Sequence, residues 1–594
     1  MIADKKSYPS VTESGVTIFG IDNRVKIIIL SLVVFFASQK LYFKTLYQIN
    51  FPYSIDHALG LDYVYTYVKT GIFPFDEFFA PFSDSVHQLI FPRLITFPNV
   101  FFNAFDVGNL VYLHWGLESI ALLLIFLLLK RTNPKLYWLL IPISAFIFSP
   151  LQDSGNHLFG MIMWLLPPVS IIGVIYLLDK KPGLKSLPSA ICLSIVATFS
   201  TIIGIIVWLP GIICLIKFDS HHKKWIEKKW LTIWLACTIV IGLIYYSQFP
   251  KDAAAQPNFL FLFTYDGFSF LVTFISSAFR LKYDFLMVSV GSISLALGSF
   301  CVYYFTIHKR NLKIALPWLL FLLVGIGGGL IADVGRGDLS MHYGNETYYI
   351  PISQFFQIGL LVLISLIILD IKKGPLHTRK KILLYFLLAV IVGHMILLIP
   401  SYYAGWLRGE HYFQLKTEDA NCYSLSPKLN CIQSISHVGT QGVEALPMIN
   451  FWIENKLSIF GDAVFNNKNL EEISYFEETW NKNNETSVGI GEIELINNIP
   501  IVGKRTVYVN EPLVIISGSI LDEKEKQLDS VFLLVDDKPF IKFDNSAQSY
   551  SEWKIFFMSG YLENNCQLIS IAGFKDNKNI RLNQEIELCK NNLP

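Results

Sequence analysis

Residues 24–43 read RVKIIILSLVVFFASQKLYF: two cations, then an apolar run with no acidic residue in it. A helix crossing the hydrocarbon core of a bilayer needs about 20 such residues. The stretch therefore predicts a first membrane span over 25–43. The segment before it, 1–24, is polar and offers no apolar core for a cleavable leader, so the run is expected to stay as an anchor behind a cytoplasmic N-terminal segment. Composition agrees. The 594 residues are 53% hydrophobic and 16% charged, with 47 Phe and 28 Tyr, a load that a soluble globule does not carry. With a net charge of only +1, nucleic acid is excluded as a partner, since that binding rests on a clustered basic surface.

Ten further apolar stretches follow, near 108–129, 136–150, 157–178, 187–201, 202–217, 230–248, 284–307, 314–332, 349–371 and 382–400. The expected fold class is thus an all-α polytopic domain of about eleven spans over 25–400. Loops alternate in charge. Lys130, Arg131 and Lys135, then Lys180, Lys181 and Lys185, then Lys217 to Lys229, Lys309 to Lys313 and Lys372 to Lys381 fall on one side with Arg24 and Lys26. The positive-inside rule makes that side cytoplasmic. The other side holds Lys40, Lys44, Lys69, Arg93, Lys251, Arg280, Lys282 and Arg336 in longer loops.

Charge parity settles two ambiguous regions. Residues 187–217 are too long for one span and break at Thr198-Phe199-Ser200-Thr201, which suits two short helices. Residues 258–280 are long enough to cross but contain Asp266-Gly267, and a crossing would place the Lys309 cluster outside. An interfacial or re-entrant element is expected there. An odd number of spans leaves everything after 401 outside.

That tail changes character. Residues 401–497 read as mixed loop and helix, with an amphipathic segment near 443–460. From 498 to 594 period-two strands dominate, at Thr506–Val509, Leu513–Ser517, Ser530–Val535, Trp553–Phe557 and Gln567–Ile571, which suggests an exterior β-sandwich. Cys192, Cys214, Cys237 and Cys301 lie in apolar helices and read as small core residues. Cys422, Cys431, Cys566 and Cys589 all fall in the tail. Two local disulfides, 422–431 and 566–589, are the simplest of three connectivities, and an oxidising compartment favours them. Zinc is the rival reading, against which stands the lack of a Cys-x-x-Cys pair.

The first exterior loop, 44–107, is the longest between spans, and loops of that length usually carry function. Within it Asp56 to Lys69 has helical spacing, with Leu59, Tyr63, Val64 and Tyr67 on one face and Gly71 as a stop. Asp56 also reads simply as a first-turn carboxylate placed well against the helix dipole.

An aspartate just past the first span, an amphipathic helix, and a glycine fifteen residues later resemble the opening of the glycosyltransferase C superfamily, the membrane transferases that use polyprenyl-phosphate sugars. DSVHQLIFPRLI (84–95), SGNHLFGMIMWLL (154–166), ATFSTIIGIIVWLPG (197–211) and GRGDLSMHYGNETYYIPI (335–352) resemble an uncharacterised prokaryotic group near that superfamily. The likeness runs over most of 25–460. Two positions depart from the common pattern. His57 stands where many members have a second acidic residue, and Val86-His87-Gln88 replaces the group's Glu-His-Arg. Both departures weaken the case for a divalent metal.

The resemblance implies an inverting transfer from a lipid-phosphate donor to a glycan, lipid or protein acceptor at the outer face of a prokaryotic cell membrane. Such chemistry needs a carboxylate to take the acceptor proton and cations to hold the leaving phosphate. Asp56 is the candidate base and Asp62 the second acidic candidate; Asp84, His87, Arg93, Asn156, His157, Arg336, His342 and Tyr343 are the candidate substrate contacts. Each has a plainer reading. Arg93 equally fits a side chain snorkelling to headgroups, and Asp84 a structural partner for it. Arg336, followed by Tyr343, Tyr348 and Tyr349, fits a helix cap or an aromatic belt, and His157 and His342 fit interface residues. Asn345-Glu346-Thr347 and Asn484-Glu485-Thr486 match glycosylation sequons, a short pattern. Two other classes stay open. A transporter or flippase predicts ionisable groups at mid-span, of which Glu118 is the main one, together with internal repeats. A non-catalytic surface protein would use its exterior domain to bind glycans or partners.

Overall fold

The computed structural model describes residues 23–47, 66–67, 70–79, 87–103, 109–153, 160–179, 183–219, 225–247, 259–307, 309–336, 344–373 and 377–425, and in the tail the strands between 486 and 590. Among the described residues, eight helices are long and apolar enough to cross a membrane. They begin with α1 (Asn23–Leu46). Two elements of the first loop follow, α2 (Phe75–Phe79) and α3 (Ile90–Asn103). Next come α4 (Leu110–Thr132), a segment over Pro134–Gln152 that contains α5 (Leu140–Ile147), and α6 (Gly160–Leu178). The remainder are α7 (Ser186–Thr198), α8 (Trp208–Asp219), α9 (Trp225–Ser247), α10 (Tyr265–Ser276), α11 (Asp284–Ile307), α12 (Lys309–Arg336), α13 (Ile350–Ile371) and α14 (Thr378–Leu425).

Eight of the expected spans thus have membrane-length helices. The other three, 157–178, 187–201 and 202–217, coincide with shorter apolar helices. For 187–201 and 202–217 the reason is visible at Thr198–Thr201. Trp208 donates its indole N–H to Thr198 Oγ1 at 3.0 Å, and Gly204 lies against the Ala197 carbonyl, where a Cβ has no room. α7 therefore ends inside the protein after 13 residues, a rise of about 20 Å.

Burial sorts the helices. Along α13, 89% of the apolar window is buried, so it forms the axis of the bundle. Close approach to α12 makes this possible: a Cβ on Gly325 would come within 2.9 Å of Phe356 N, and one on Gly359 within 2.8 Å of Trp318 O. Small residues at a helix interface let backbones approach, which drives association where lipid removes the hydrophobic incentive. In α1 and α9 only 11% of the window is buried. Their exposed Ile27, Leu30, Phe35, Ile239 and Leu243 form the apolar perimeter expected of lipid-facing helices.

The α10 region is short, its 12 residues rising about 18 Å. It is nevertheless packed among other helices. Gln357 donates to the Ile275 carbonyl at 2.8 Å, Ser277 to Ser353 Oγ at 2.8 Å, and Ser401 to the Phe279 carbonyl. Exposed Phe263 and Tyr265 lie at one end and exposed Tyr283 just past the other.

Two boundaries differ from the sequence reading. The polar change at 401 marks no helix end, because α14 continues to Leu425. Among the described residues the β region starts at Thr486 rather than 498, with nine strands: β1 (Thr486–Ile496), β2 (Ile499–Pro500), β3 (Thr506–Val509), β4 (Leu513–Leu521), β5 (Ser530–Val535), β6 (Lys538–Phe543), β7 (Glu552–Met558), β8 (Cys566–Lys575) and β9 (Lys578–Lys590). They pair in the order β6-β5-β8-β9-β1-β4-β7, with β2 on β1 and β3 on β9. Thr486–Gly489 of β1 pairs in parallel with β9, and Ile490–Ile496 pairs antiparallel with β4. Cys566 stands opposite Cys589 across β8 and β9 and is disulfide-bonded to it, as expected. For the 422–431 pairing, Cys422 lies in α14 with its side chain outside the described residues, and Cys431 lies outside them altogether, as does the amphipathic segment near 443–460.

Candidate functional site

Gly71 stops the preceding helical residues as expected. Its φ is +71 and its N–H bonds the Tyr67 carbonyl at 2.8 Å, the left-handed ending for which glycine is suited. Downstream, the loop is tied into the bundle. Nδ1 of the buried His87 lies 3.1 Å from Thr201 Oγ1 and accepts from Ile202 N–H at 3.4 Å. An N–H donor on Nδ1 places the proton of a neutral ring on Nε2. The His87 ring also meets Trp164 edge-on at 5.8 Å, and Trp164 stacks on Tyr348 at 5.0 Å. Phe91 N–H reaches the Phe199 carbonyl at 3.3 Å. Loop, α6, the α7–α8 turn and the start of α13 are thereby held together.

Arg93 is buried, and its Nη1 donates to the Phe78 carbonyl at 2.8 Å, which ties α2 to α3. Its guanidinium is thus engaged within the loop. Arg336 is the last residue of α12, with its side chain outside the described residues; Asp56, Asp62, Asp84, Asn156, His157, His342 and Tyr343 also lie outside them.

Sequence reading placed Lys40 and Lys44 in the exterior loop. They instead belong to the last turns of α1, are buried, and meet Glu118 of α4: Lys40 Nζ is 3.5 Å and Lys44 Nζ 3.8 Å from Glu118 Oε1. Lys40 also donates to the Ser149 carbonyl at 2.7 Å. The signal was present, because an i,i+4 lysine pair shares one helix face. Glu118 further lines a cavity of about 20 Å³ with Gln152, Gln354, Leu165, Phe321 and Phe355, enough for a water molecule. Gln152 Nε2 donates to the Phe146 and Ile147 carbonyls at 2.9 and 2.8 Å.

Two further groups were missed. Asp333, on the last turn of α12, is 1% exposed, and neither carboxylate oxygen has a hydrogen-bond partner among the described residues. Arg280, between α10 and α11, has a left-handed backbone (φ 38) and a buried Nη1 with no acceptor among the described residues. Burial, reinforced by the charge of Arg408 and opposed by Glu346, lowers its pKa to about 10, so it remains a cation at neutral pH.

In the tail, Cys566, Glu587 and Cys589 bring three metal-type ligand atoms within 4.8 Å of one another. Both sulfurs are already joined in the disulfide, and Glu587 accepts from Thr506 Oγ1 at 3.0 Å. The donor set therefore does not suit zinc, which binds thiolates. Compared with known proteins, the chain matches no protein family, no curated protein and no solved structure.

Proposed function

We propose that this chain is a membrane glycosyltransferase that moves a sugar from a polyprenyl-phosphate donor to an acceptor at the extracytoplasmic face. Eleven crossings, counting the three short helices, would place the N-terminus in the cytoplasm of a prokaryotic cell. They would leave the tail, read as a β-sandwich, outside. The observation that carries this reading is the docking of the first loop, through His87 on Thr201 and Trp164. A long loop fixed on a helical bundle is a place where a lipid-borne donor and a water-borne acceptor can meet. In the reaction, the acceptor oxygen forms a bond to the anomeric carbon as the bond from that carbon to the phosphate oxygen breaks. Asp56 takes the acceptor proton, and polyprenyl phosphate leaves with the bonding pair, its charge met by cations such as Arg336.

The reading is tested in proteoliposomes containing a radiolabelled polyprenyl-phosphate sugar and extracts of candidate acceptors. Asp56→Asn keeps the side chain's shape but removes the basic oxygen, and should slow transfer by about a hundred- to ten-thousand-fold. Undiminished transfer by that variant would remove Asp56 from the mechanism.

A second reading, a transporter or flippase, draws on the buried Lys40–Glu118–Lys44 group, since ionisable residues inside a helical bundle mark substrate or proton paths. Movement of labelled lipid-linked sugar between leaflets without its consumption, abolished by Glu118→Gln, would favour it.

A further inference from the structure

Glu587 and Cys589 stand two residues apart on β9 and present their side chains to the same face of the sheet, since side chains alternate along a strand. Cys566 of β8 stands directly opposite Cys589, and Thr506 of β3 stands opposite Glu587 across the other side of β9. Strand register thus gathers two sulfurs and a carboxylate on one patch. Their ligand atoms all lie within 4.8 Å of one another, with Cys566 and Glu587 exposed and Cys589 buried. The carboxylate is held in place, because Thr506 Oγ1 donates to Glu587 Oε2 at 3.0 Å. That bond leaves Oε1 as a ligand atom.

In the oxidised chain the two sulfurs are joined and offer no thiolate. Reduction changes the donor set. A thiolate of an external dithiol attacks the exposed Cys566 sulfur, and the S–S bond breaks with its electron pair leaving on Cys589. The second thiol of the reductant then displaces Cys566 and closes the reductant's own disulfide. Two electrons and two protons have passed to the protein, and a metal ion that binds both sulfurs releases those protons. Two thiolates and one carboxylate suit zinc, whereas magnesium and calcium take sets made of oxygen alone. Tetrahedral zinc, with bonds of about 2.0–2.3 Å, keeps its ligand atoms about 3.5–3.8 Å apart, a spacing within the 4.8 Å span of this group.

We propose that Cys566, Cys589 and Glu587 form a redox-gated zinc site, a disulfide when oxidised and a three-ligand zinc centre, with water in the fourth position, when reduced. Thr506 is the outer partner that orients the Glu587 carboxylate, a role that tunes metal affinity. The ion would take over the cross-link between β8 and β9, because zinc held by a folded site contributes folding free energy. The β region would then stay closed in either redox state. This site is independent of any sugar transfer, since it lies wholly on β3, β8 and β9.

The full chain in detergent is compared in its oxidised form and after reduction with a phosphine that is then removed. Zinc bound per chain is measured by equilibrium dialysis, and cobalt is substituted to read its ligands from the absorption spectrum. Reduced wild type should bind one more zinc ion than the Cys566→Ser, Cys589→Ser variant treated alike, a comparison that subtracts whatever the other cysteines take. The oxidised forms should not differ. Cobalt in the reduced chain should show a thiolate charge-transfer band, and zinc should restore the resistance of the β region to proteolysis. Thr506→Val keeps all three ligands and should weaken zinc binding about tenfold, which keeps the test decisive if the double variant fails to fold. Glu587→Gln should weaken it further while the cobalt thiolate band remains. Equal zinc in reduced wild type and the double variant, or unchanged affinity in both Thr506→Val and Glu587→Gln, would overturn the site.

Discussion

Lys40 and Glu118 meet inside the bundle, with Nζ 3.5 Å from Oε1 and both side chains buried. The contact joins the last turns of α1 to α4, reinforced by Trp115, whose indole donates to the Ala37 carbonyl at 2.9 Å. Removing one member of a buried ion pair leaves the other charge stranded, at a cost of about 3–5 kcal/mol. Glu118→Ala strands two ammonium groups, and should sharply lower the unfolding temperature in detergent. Lys44→Met keeps the Lys40–Glu118 pair and should cost much less. Equal unfolding temperatures for wild type and Glu118→Ala would show that the group is solvated and not structural.

The His87–Thr201 contact is expected to decide whether the first loop stays docked. Thr201→Val removes one hydroxyl partner of a buried ring nitrogen, worth about 1–3 kcal/mol. Hydrogen exchange over 87–103 should accelerate in this variant while that of α13 stays slow. Acceleration in both would mean that the bundle as a whole had loosened.

The Cys566–Cys589 disulfide closes a sequence separation of 23. Chain entropy puts its contribution at about 3 kcal/mol. Cys566→Ser with Cys589→Ser in the full chain should make the β region the first part to be cut in limited proteolysis. It should leave the pattern of membrane-protected fragments unchanged, because the disulfide joins two strands within the β region.

The sequence showed where apolar helices lie but was weaker on where they stop. Hydropathy marks the edge of the lipid, whereas a helix ends where its backbone loses internal hydrogen bonds, so α14 runs through the polar change at 401. Lys40 and Lys44 look like loop residues for the same reason: the apolar window closes before α1 does. β1 stayed hidden because Gly489 and Gly491 weaken its pattern and its apolar alternation slips phase between Ile490 and Ile493, next to the bulge where its pairing with β4 shifts. Arg280, Arg408 and Glu346 are far apart in the chain, and no local pattern brings them together. Thr198–Thr201, by contrast, broke the apolar run where α7 ends.

The placement of α10 makes the sharpest remaining prediction. Gly291 of α11 is pressed against the Val272 carbonyl of α10, where any Cβ collides with backbone, whereas Gly242 of α9 has nothing within 4 Å of its Cβ position. Gly291→Val should therefore dislodge α10 and lower stability by a few kcal/mol, the scale of core overpacking or more, while Gly242→Ala should be silent. If α10 enters and leaves by the same face, cysteines introduced at the exposed positions Leu260 and Lys282 should both react with a reagent that cannot cross the membrane. One at Lys380, exposed at the start of α14 on the basic end, should react only after the membrane is opened. In Gly291→Val the reactivity of a cysteine at buried Ser276 should rise from near zero. Opposite accessibility of positions 260 and 282 would mean that α10 crosses, which would reverse the orientation of every helix on one side of it.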